Sequence, residues 1–163
     1  MTLEGDFVVS DRSGLVANRH LVHVVVIDAT SKILYTLGDS SRTTLSRPAS
    51  KPTQAIPLVE SGAMEQFGFD EADLALICGS HSSEKRHIER AKAMLAKSQT
   101  NESDLQCGGH PAISPVVNEA WIQKGFAPTP VCNTCSGNHI GVMDGTKAIG
   151  ASVIDYHTLD HPY

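Results

Sequence analysis

Several features that would assign the chain to a class at once are missing. The first residues carry neither a basic segment nor an apolar segment of the secretory kind, so we expect no secretory signal. No apolar run approaches membrane-spanning length, which predicts that the protein has no membrane partner. There is no internal repeat and no low-complexity tract. The net charge of -5 makes nucleic acid a poor candidate partner.

The length and the cysteine content limit the number of domains and the cellular compartment that can be expected. At 163 residues it suits one domain, 1–163. Four cysteines without a secretory signal predict reduced thiols in a cytoplasmic protein rather than a disulfide framework.

The hydrophobic pattern predicts strands first and then alternating helices and a strand, which is typical of an α/β or α+β fold. Strands are predicted at 7–9, 20–27, 33–37 and 74–78, and helices at about 51–62, 84–97, 116–124 and 139–149. The polar segment 79–83 is predicted to be a strand-to-helix turn, with Ser82 or Ser83 as the N-cap.

Potentially reactive and metal-binding side chains are most concentrated in the segment 131–139, Val-Cys-Asn-Thr-Cys-Ser-Gly-Asn-His. Cys132 and Cys135 have metal-ligand spacing, His139 follows, and Cys107-Gly-Gly-His110 repeats that spacing upstream. Thiolate and imidazole ligands are typical of zinc. The alternative is that Cys107 and Cys132 are small buried apolar residues. A redox role is less favoured, because Thr129 and Pro130 precede the motif where a βαβ unit would place a strand.

Two further residues are candidates for catalysis. Ser80 follows an apolar run on a turn between Gly79 and His81, where an activated hydroxyl could act as a nucleophile, although a turn serine is the simpler reading. Lys51 precedes Pro52 at a predicted helix start. A lysine partly buried there would have a lowered pKa and could act as a base, but a surface lysine is the more common case.

Several short motifs, taken together and in order along the whole chain, resemble the asparaginase II family, the Rhizobium-type L-asparaginases. They are Asp6-Phe-Val-Val, Asp11-Arg, Lys51-Pro-Thr-Gln-Ala, Gly68-Phe-Asp, Ser80-His-Ser-Ser-Glu, Cys107-Gly-Gly-His-Pro, Cys132-Asn-Thr-Cys-Ser-Gly, Ala148-Ile-Gly, Tyr156-His and Asp160-His-Pro. The resemblance implies an amidohydrolase that converts asparagine to aspartate and ammonia. It also implies a dimer and a serine β-lactamase- and glutaminase-like fold, with a mixed sheet flanked by helices.

The resemblance assigns roles to individual positions. The family uses two serine–lysine tandems near a zinc ion, and Ser80 matches one serine while Lys51 matches one lysine. Cys135 matches a zinc ligand, and Cys132 is our second metal candidate. Arg47 matches a substrate-pocket arginine. We add His81 as a second substrate-binding candidate and His139 as a third catalytic one.

The chain also departs from the family pattern. Pro48 stands where the family has a serine, and Asn138 stands where it has a lysine beside the zinc. Ser50 should not replace the lost hydroxyl, because only residues three or four apart face one another on a helix. Family members are about twice as long, so the chain is expected to match their N-terminal half. The lysine partner of Ser80 and the second zinc cysteine would then lie beyond residue 163.

These observations leave three hypotheses open. We favour an asparaginase-related amidohydrolase that acts on, or binds, a small amide, with altered chemistry such as hydrolysis, cyclisation or isomerisation. The alternative is a catalytically inactive, truncated homologue that serves as a binding or interaction module. The third is a domain that zinc stabilises. A half-length fold should leave an apolar face uncovered, which predicts a homo-oligomer or a partner chain.

Overall fold

In the computed structural model of the protein, residues 7–162 are described. The chain divides into two compact units, residues 1–45 and 46–163. The first unit contains strands and the second contains helices, so the predicted α+β class is confirmed. Among residues 7–162, no helix has the length and apolar character needed to cross a membrane.

The first unit consists of two antiparallel hairpins. Strands β1 (Phe7–Arg12) and β2 (Leu15–Leu21) form one sheet, and β3 (Val24–Ile27) and β4 (Ile33–Leu37) form the other. The first hairpin pairs Phe7 with Leu21 and has a bulge at Ser10/Asp11; the second pairs Val24 with Leu37 and has a bulge at Val26/Ile27. The predicted strands at 7–9 and 33–37 are therefore confirmed. The single strand predicted at 20–27 is wrong, because the chain leaves one hairpin and enters the other at Val22 and His23.

The second unit is a helical assembly built around its last helix. Within the described residues 46–162 the α-helices are α1 (Lys51–Gln54), α2 (Ile56–Glu60), α3 (Ala63–Phe67), α4 (Glu71–Ile77), α5 (Lys85–Ser98), α6 (Pro115–Gln123) and α7 (Ser136–Ala148). The 3-10 turn Arg47–Ser50 precedes α1, and the 3-10 turns Glu102–Asp104 and Pro130–Cys132 lie between later helices. α7 packs against α1, α2, α3, α4 and α5, and its Ile140 and Met143 are fully buried.

Two glycines allow α7 to approach α4 closely. A Cβ atom on Gly137 would lie 2.5 Å from the carbonyl oxygen of Leu76, and one on Gly141 would lie 2.6 Å from the Ile77 side chain. Both distances are shorter than packed atoms adopt. The absence of side chains at these positions therefore sets the separation of the two helices.

Helix α4 replaces the strand predicted at 74–78, so that prediction is wrong. Asp70 accepts a hydrogen bond from the Asp73 backbone N–H at 2.8 Å, and the Asp73 carboxylate accepts one from the Asp70 N–H at 3.1 Å. This reciprocal capping box starts a helix. Asp73 is also buried and joined to Arg90 and Lys97 on α5, each at 2.6 Å. The same carboxylate therefore caps α4 and ties it to α5.

The start of α5 also differs from the prediction. Glu84 is the N-cap, without a side-chain capping bond, so neither Ser82 nor Ser83 has that role. Ser83 lies in the left-handed region with φ 61, and its hydroxyl donates to the carbonyl of Cys132 at 2.7 Å. The serine is thus used to fasten the loop to the segment before α7.

Candidate active site

Lys51 and Ser80 form the centre of the site. Lys51 is the first residue of α1 and is only 4% exposed. Its Nζ donates to the Gly79 carbonyl at 2.7 Å and to Ser80 Oγ at 2.9 Å. Two residues that lie 29 positions apart in the sequence are therefore joined by a direct serine–lysine contact.

The residues before α1 supply no second hydroxyl to Lys51. Pro48 lies in the 3-10 turn Arg47–Ser50, and its carbonyl accepts the Lys51 backbone N–H. The Ser50 hydroxyl donates to the Arg47 carbonyl at 2.9 Å. Ser50 is therefore engaged within the turn, as expected from its spacing to Lys51.

The Cys135 thiol completes the cluster. Cys135 is the N-cap residue of α7, and its side chain interacts with Lys51, Ser80 and Thr134. Burial raises the pKa of this thiol, but the hydrogen bond from Thr134 and the contacts with Lys51 and Ser80 outweigh that effect. The net result is a lowered pKa. Ser80 and Cys135 therefore lie side by side.

His81 holds the loop that carries Ser80. It is 4% exposed, its Nδ1 accepts the Ser83 N–H at 3.1 Å, and its Nε2 lies 2.8 Å from the Ser136 hydroxyl. Because Nδ1 is an acceptor, the ring proton resides on Nε2 and is donated to Ser136. Burial, followed by the charges of His87, Lys51 and His110, lowers the pKa of His81 to about 4. With both nitrogens engaged, His81 fixes the loop to α7, and its predicted contact with substrate stays a prediction.

His139, the third catalytic candidate, lies one turn along α7 from Cys135. Its Nδ1 is 2.7 Å from the Tyr156 hydroxyl. Burial and the positive charge of Lys51 lower the pKa of His139, and the charge of His157 adds to this. The imidazole is thus electrostatically coupled to Lys51.

Arg47 precedes Lys51 by four residues. Its backbone lies in the left-handed region, with φ 44, and its side chain is exposed. Within residues 7–162 the guanidinium makes no hydrogen bond or ion pair. It therefore remains available for a substrate anion, and that role stays a prediction.

The candidate zinc ligands do not assemble into a metal site. Burial raises the pKa of Cys107 to about 11, and its thiol donates to the Pro130 carbonyl at 3.6 Å. His110 is oriented by the Pro111 carbonyl at 2.7 Å, and its Nε2 accepts the Thr134 N–H at 3.2 Å. Cys132 is buried against Thr129, 3.8 Å from its hydroxyl.

Across the described part of the chain, no group of three or more histidine, cysteine or acidic side chains is arranged to hold a metal ion. A structural zinc ion takes four ligands. Cys135 has the lowered thiol pKa that suits a metal ligand. The other candidates, Cys107, His110 and Cys132, contact Pro130, Thr134 and Thr129 instead, so the residues present do not fit a four-ligand zinc centre. Zinc at Cys135 stays a prediction.

One cavity borders Ser80, and a second borders His139. One of about 760 Å³ is bordered by Ser80, His81 and the basic side chains of α5, Arg86, Arg90 and Lys97. The other, of about 330 Å³, lies beside His139. Its remaining lining residues are Gln54, Pro57, Asn138, Val142, Tyr156 and His157.

Three contributors to the site were missed from the sequence. Tyr156 holds His139, Ser136 holds His81, and Thr134 contacts both Cys135 and His110. Ser136 and Thr134 lie inside the segment 131–139 that the sequence analysis singled out, so their position was the available signal. Tyr156 gave none beyond its place in a family motif, because its contact with His139 spans 17 residues, from within α7 to the irregular chain that follows it.

Comparison with known proteins identifies the family of the chain. A search of curated proteins finds no match. The family model described as L-asparaginase II matches residues 8–163, nearly the whole chain. The chain therefore belongs to the L-asparaginase II family.

Proposed function

We propose that the protein hydrolyses the carboxamide of a small amino-acid substrate, with Ser80 as nucleophile and Lys51 as general base. The hydrogen bond between Lys51 Nζ and Ser80 Oγ, 2.9 Å long, carries the proposal. A nucleophilic serine needs a base within hydrogen-bonding distance, and this pair meets that requirement. Family membership supports an amidohydrolase-like function.

The pair combines elements that the family pattern keeps in separate tandems. Pro48 removes the hydroxyl that would face Lys51, and Lys51 instead contacts Ser80. One lysine and one serine thus form a single dyad. The Gly79 carbonyl holds Nζ at 2.7 Å and limits where the amine can move.

In the resting site Lys51 Nζ donates to Ser80 Oγ, so the proposed reaction requires that the amine first lose a proton and turn its lone pair toward that hydroxyl. Its lone pair accepts the Ser80 proton while Oγ attacks the carboxamide carbon, which gives a tetrahedral intermediate. The carbon–nitrogen bond then breaks, Lys51 returns the proton to the leaving nitrogen, and ammonia departs from an acyl-serine. Water attacks this ester with Lys51 again as base, and the carboxylic acid and free Ser80 are restored.

The surroundings of the dyad favour an anionic substrate. The Arg47 guanidinium has no hydrogen-bond or ion-pair partner within the described residues, and three further cations, on α5, border the cavity at Ser80. Two of these, Arg90 and Lys97, are already paired with Asp73. Arg47 is therefore the better candidate for the substrate carboxylate, and asparagine and glutamine are the first substrates to screen.

Ammonia release from asparagine and glutamine tests the proposal. We expect Lys51→Met to lower kcat by about 10²–10⁴-fold, the usual contribution of a general base, and Ser80→Ala to lower it at least as much. Ser82→Ala changes a hydroxyl in the same loop that bonds only Glu84, so it serves as the matched control and should retain full activity.

The products separate the alternatives. Ammonia with stoichiometric aspartate indicates hydrolysis, whereas ammonia with a ring-closed product indicates cyclisation. Conversion without ammonia indicates isomerisation. Thermal stabilisation by asparagine or aspartate without any product would favour the inactive binding module. The presence of Pro48 in place of the family's serine also favours that module. Full turnover by Ser80→Ala would remove Ser80 from the mechanism.

A further inference from the structure

Tyr156 links a backbone amide to the imidazole of His139. The Gln106 N–H donates to the Tyr156 hydroxyl oxygen at 3.0 Å, and that oxygen lies 2.7 Å from His139 Nδ1. Tyr156 itself is only 3% exposed. The three groups therefore form a short, partly buried chain of hydrogen bonds.

The direction of this chain follows from counting donors and acceptors. The Tyr156 oxygen already accepts from Gln106, so the hydroxyl hydrogen needs an acceptor. Among residues 7–162 the available acceptor is His139 Nδ1. A buried hydroxyl left without an acceptor would lose its hydrogen bond to water with nothing in exchange. The phenol thus donates to Nδ1, and the ring proton of His139 is placed on Nε2.

The electrostatic surroundings maintain the same arrangement. Burial raises the pKa of Tyr156 to about 12, so the phenol keeps its hydrogen at neutral pH. Burial and the charge of Lys51 lower the pKa of His139, which disfavours a second proton on the ring. His139 is accordingly a neutral imidazole with one defined tautomer.

The other ring nitrogen is left for a ligand. In the described residues Nε2 makes no hydrogen bond, and it is not among the buried polar atoms that lack a partner, so it reaches open space. His139 lines the cavity of about 330 Å³ together with Asn138 and His157. That volume is at the lower end of the range for small-molecule sites and suits a ligand of amino-acid size.

We propose that Tyr156 is a positioning residue that holds His139 as the Nε2–H tautomer, so that this imidazole donates a hydrogen bond to a carboxylate or amide oxygen of a ligand in the adjoining cavity. The inference rests on the proposed function only in taking that ligand to be the substrate or its product. The tautomer belongs to the resting protein and is independent of turnover.

Nitrogen-15 NMR of the histidine rings tests the tautomer directly, because protonated and unprotonated ring nitrogens have well-separated shifts. We expect the resting protein to show His139 protonated at Nε2 and unprotonated at Nδ1. Tyr156→Phe should convert this signal into a mixture of tautomers, whereas the matched change Tyr35→Phe, on an exposed strand, should leave it unchanged. Protonation at Nδ1 in the unmutated protein would overturn the proposal even if the variant does not fold.

Titration with L-aspartate tests the second part. We expect the aspartate to shift the His139 Nε2–H signal, and Tyr156→Phe to weaken binding by about 2–10-fold, the range for one hydrogen bond. A defined tautomer that survives in Tyr156→Phe would refute positioning by Tyr156. Aspartate binding that leaves the His139 signal unmoved would refute donation to the ligand. Failure of the hydrolysis assay alone would alter none of these spectra, so it would count against the proposed function and not against this inference.

Discussion

Replacing Asp144 with asparagine should stabilise the protein at neutral and alkaline pH. Asp144 lies on α7, is fully buried, and neither of its carboxylate oxygens has a hydrogen-bond partner. The Ser98 hydroxyl interacts with this carboxyl, but it is engaged with Thr100 and the carbonyls of Met94 and Leu95. The carboxyl therefore has little to compensate for leaving water.

The magnitude follows from the shifted titration. Burial raises the pKa of Asp144 from 3.8 to about 7, against smaller lowering effects of Ser98 and Lys147. A carboxyl with a raised pKa in the folded state loses stability as pH rises, here between about 4 and 7. The shift corresponds to roughly 4 kcal/mol, at about 1.4 kcal/mol per pKa unit. Asparagine has the shape of the protonated acid and does not titrate, so Asp144→Asn should not show this loss.

Urea unfolding followed by Trp121 fluorescence between pH 4 and pH 8 measures the effect. The difference in unfolding free energy, variant minus unmutated protein, should rise with pH by up to about 4 kcal/mol, whatever its value at pH 4. Asp160→Asn removes the same charge from an exposed position and should give a flat difference. A flat difference for Asp144→Asn as well would refute the reasoning, since it would mean that Asp144 titrates alike in both states.

Four further predictions concern the fold and its partners. Asp73→Asn should lower the free energy of unfolding by about 2–4 kcal/mol, because it leaves Arg90 and Lys97 without their buried partner; urea unfolding at pH 7 measures this, and a loss below 0.5 kcal/mol would contradict it. Gly137→Ala should destabilise by about 1–3 kcal/mol even though alanine favours helices, because its methyl group would meet the Leu76 carbonyl; an unchanged melting temperature would show that α7 can shift. If the described residues were the only ligands, zinc measured by mass spectrometry should fall well below one ion per chain; stoichiometric zinc lost in Cys135→Ser would bear out the zinc prediction at Cys135 and show that ligands outside the described residues complete the site. Finally, we propose that the protein forms a homo-oligomer, because both faces of its hairpins expose apolar side chains; a monomer in sedimentation at micromolar concentration would contradict this.

The helices with a clear apolar face could be predicted from the sequence. The prediction of a helix at 84–97 agrees with α5, whose Ala91, Met94 and Leu95 are buried, and the prediction at 116–124 agrees with α6. In α5 local periodicity and burial agree, so no distant contact was needed to define it. α6 has no buried residue, and its start is marked by the Ser114 N-cap, which accepts the Val117 N–H.

The errors occur where a distant contact or a side-chain cap decides the structure. The run 74–78 is short and apolar, which suits a strand as well as a buried helix, and the Asp70–Asp73 capping box selects the helix. The strand at 20–27 breaks where Gly38 approaches the Val22 carbonyl, a contact between positions 16 residues apart. α7 begins at Ser136 rather than His139, as Cys135 and Ser136 are held by the loop of His81.

The candidate site was predicted only in its composition. Ser80, Lys51 and Cys135 could be selected by residue type and by the family motifs, and they lie together. Their pairing could not be predicted, because the contact between Lys51 and Ser80 depends on how α1 packs beside the loop after α4. His110 and Cys107 have good metal-ligand spacing, yet backbone carbonyls and Thr134 engage them, and spacing carries no information on such partners.

The bare backbone contact between α7 and α4 limits how this protein can change its specificity. Bulky side chains can re-pack to let a helix slide by fractions of an ångström, but a glycine seated on a peptide carbonyl leaves no such adjustment. Cys135 and His139 lie at the start of α7, and Ser80 follows α4. The distances between these three residues are therefore set by the contact between α7 and α4. New substrates would therefore have to be accommodated by changing the lining of the cavities, with the spacing of the reactive groups kept constant.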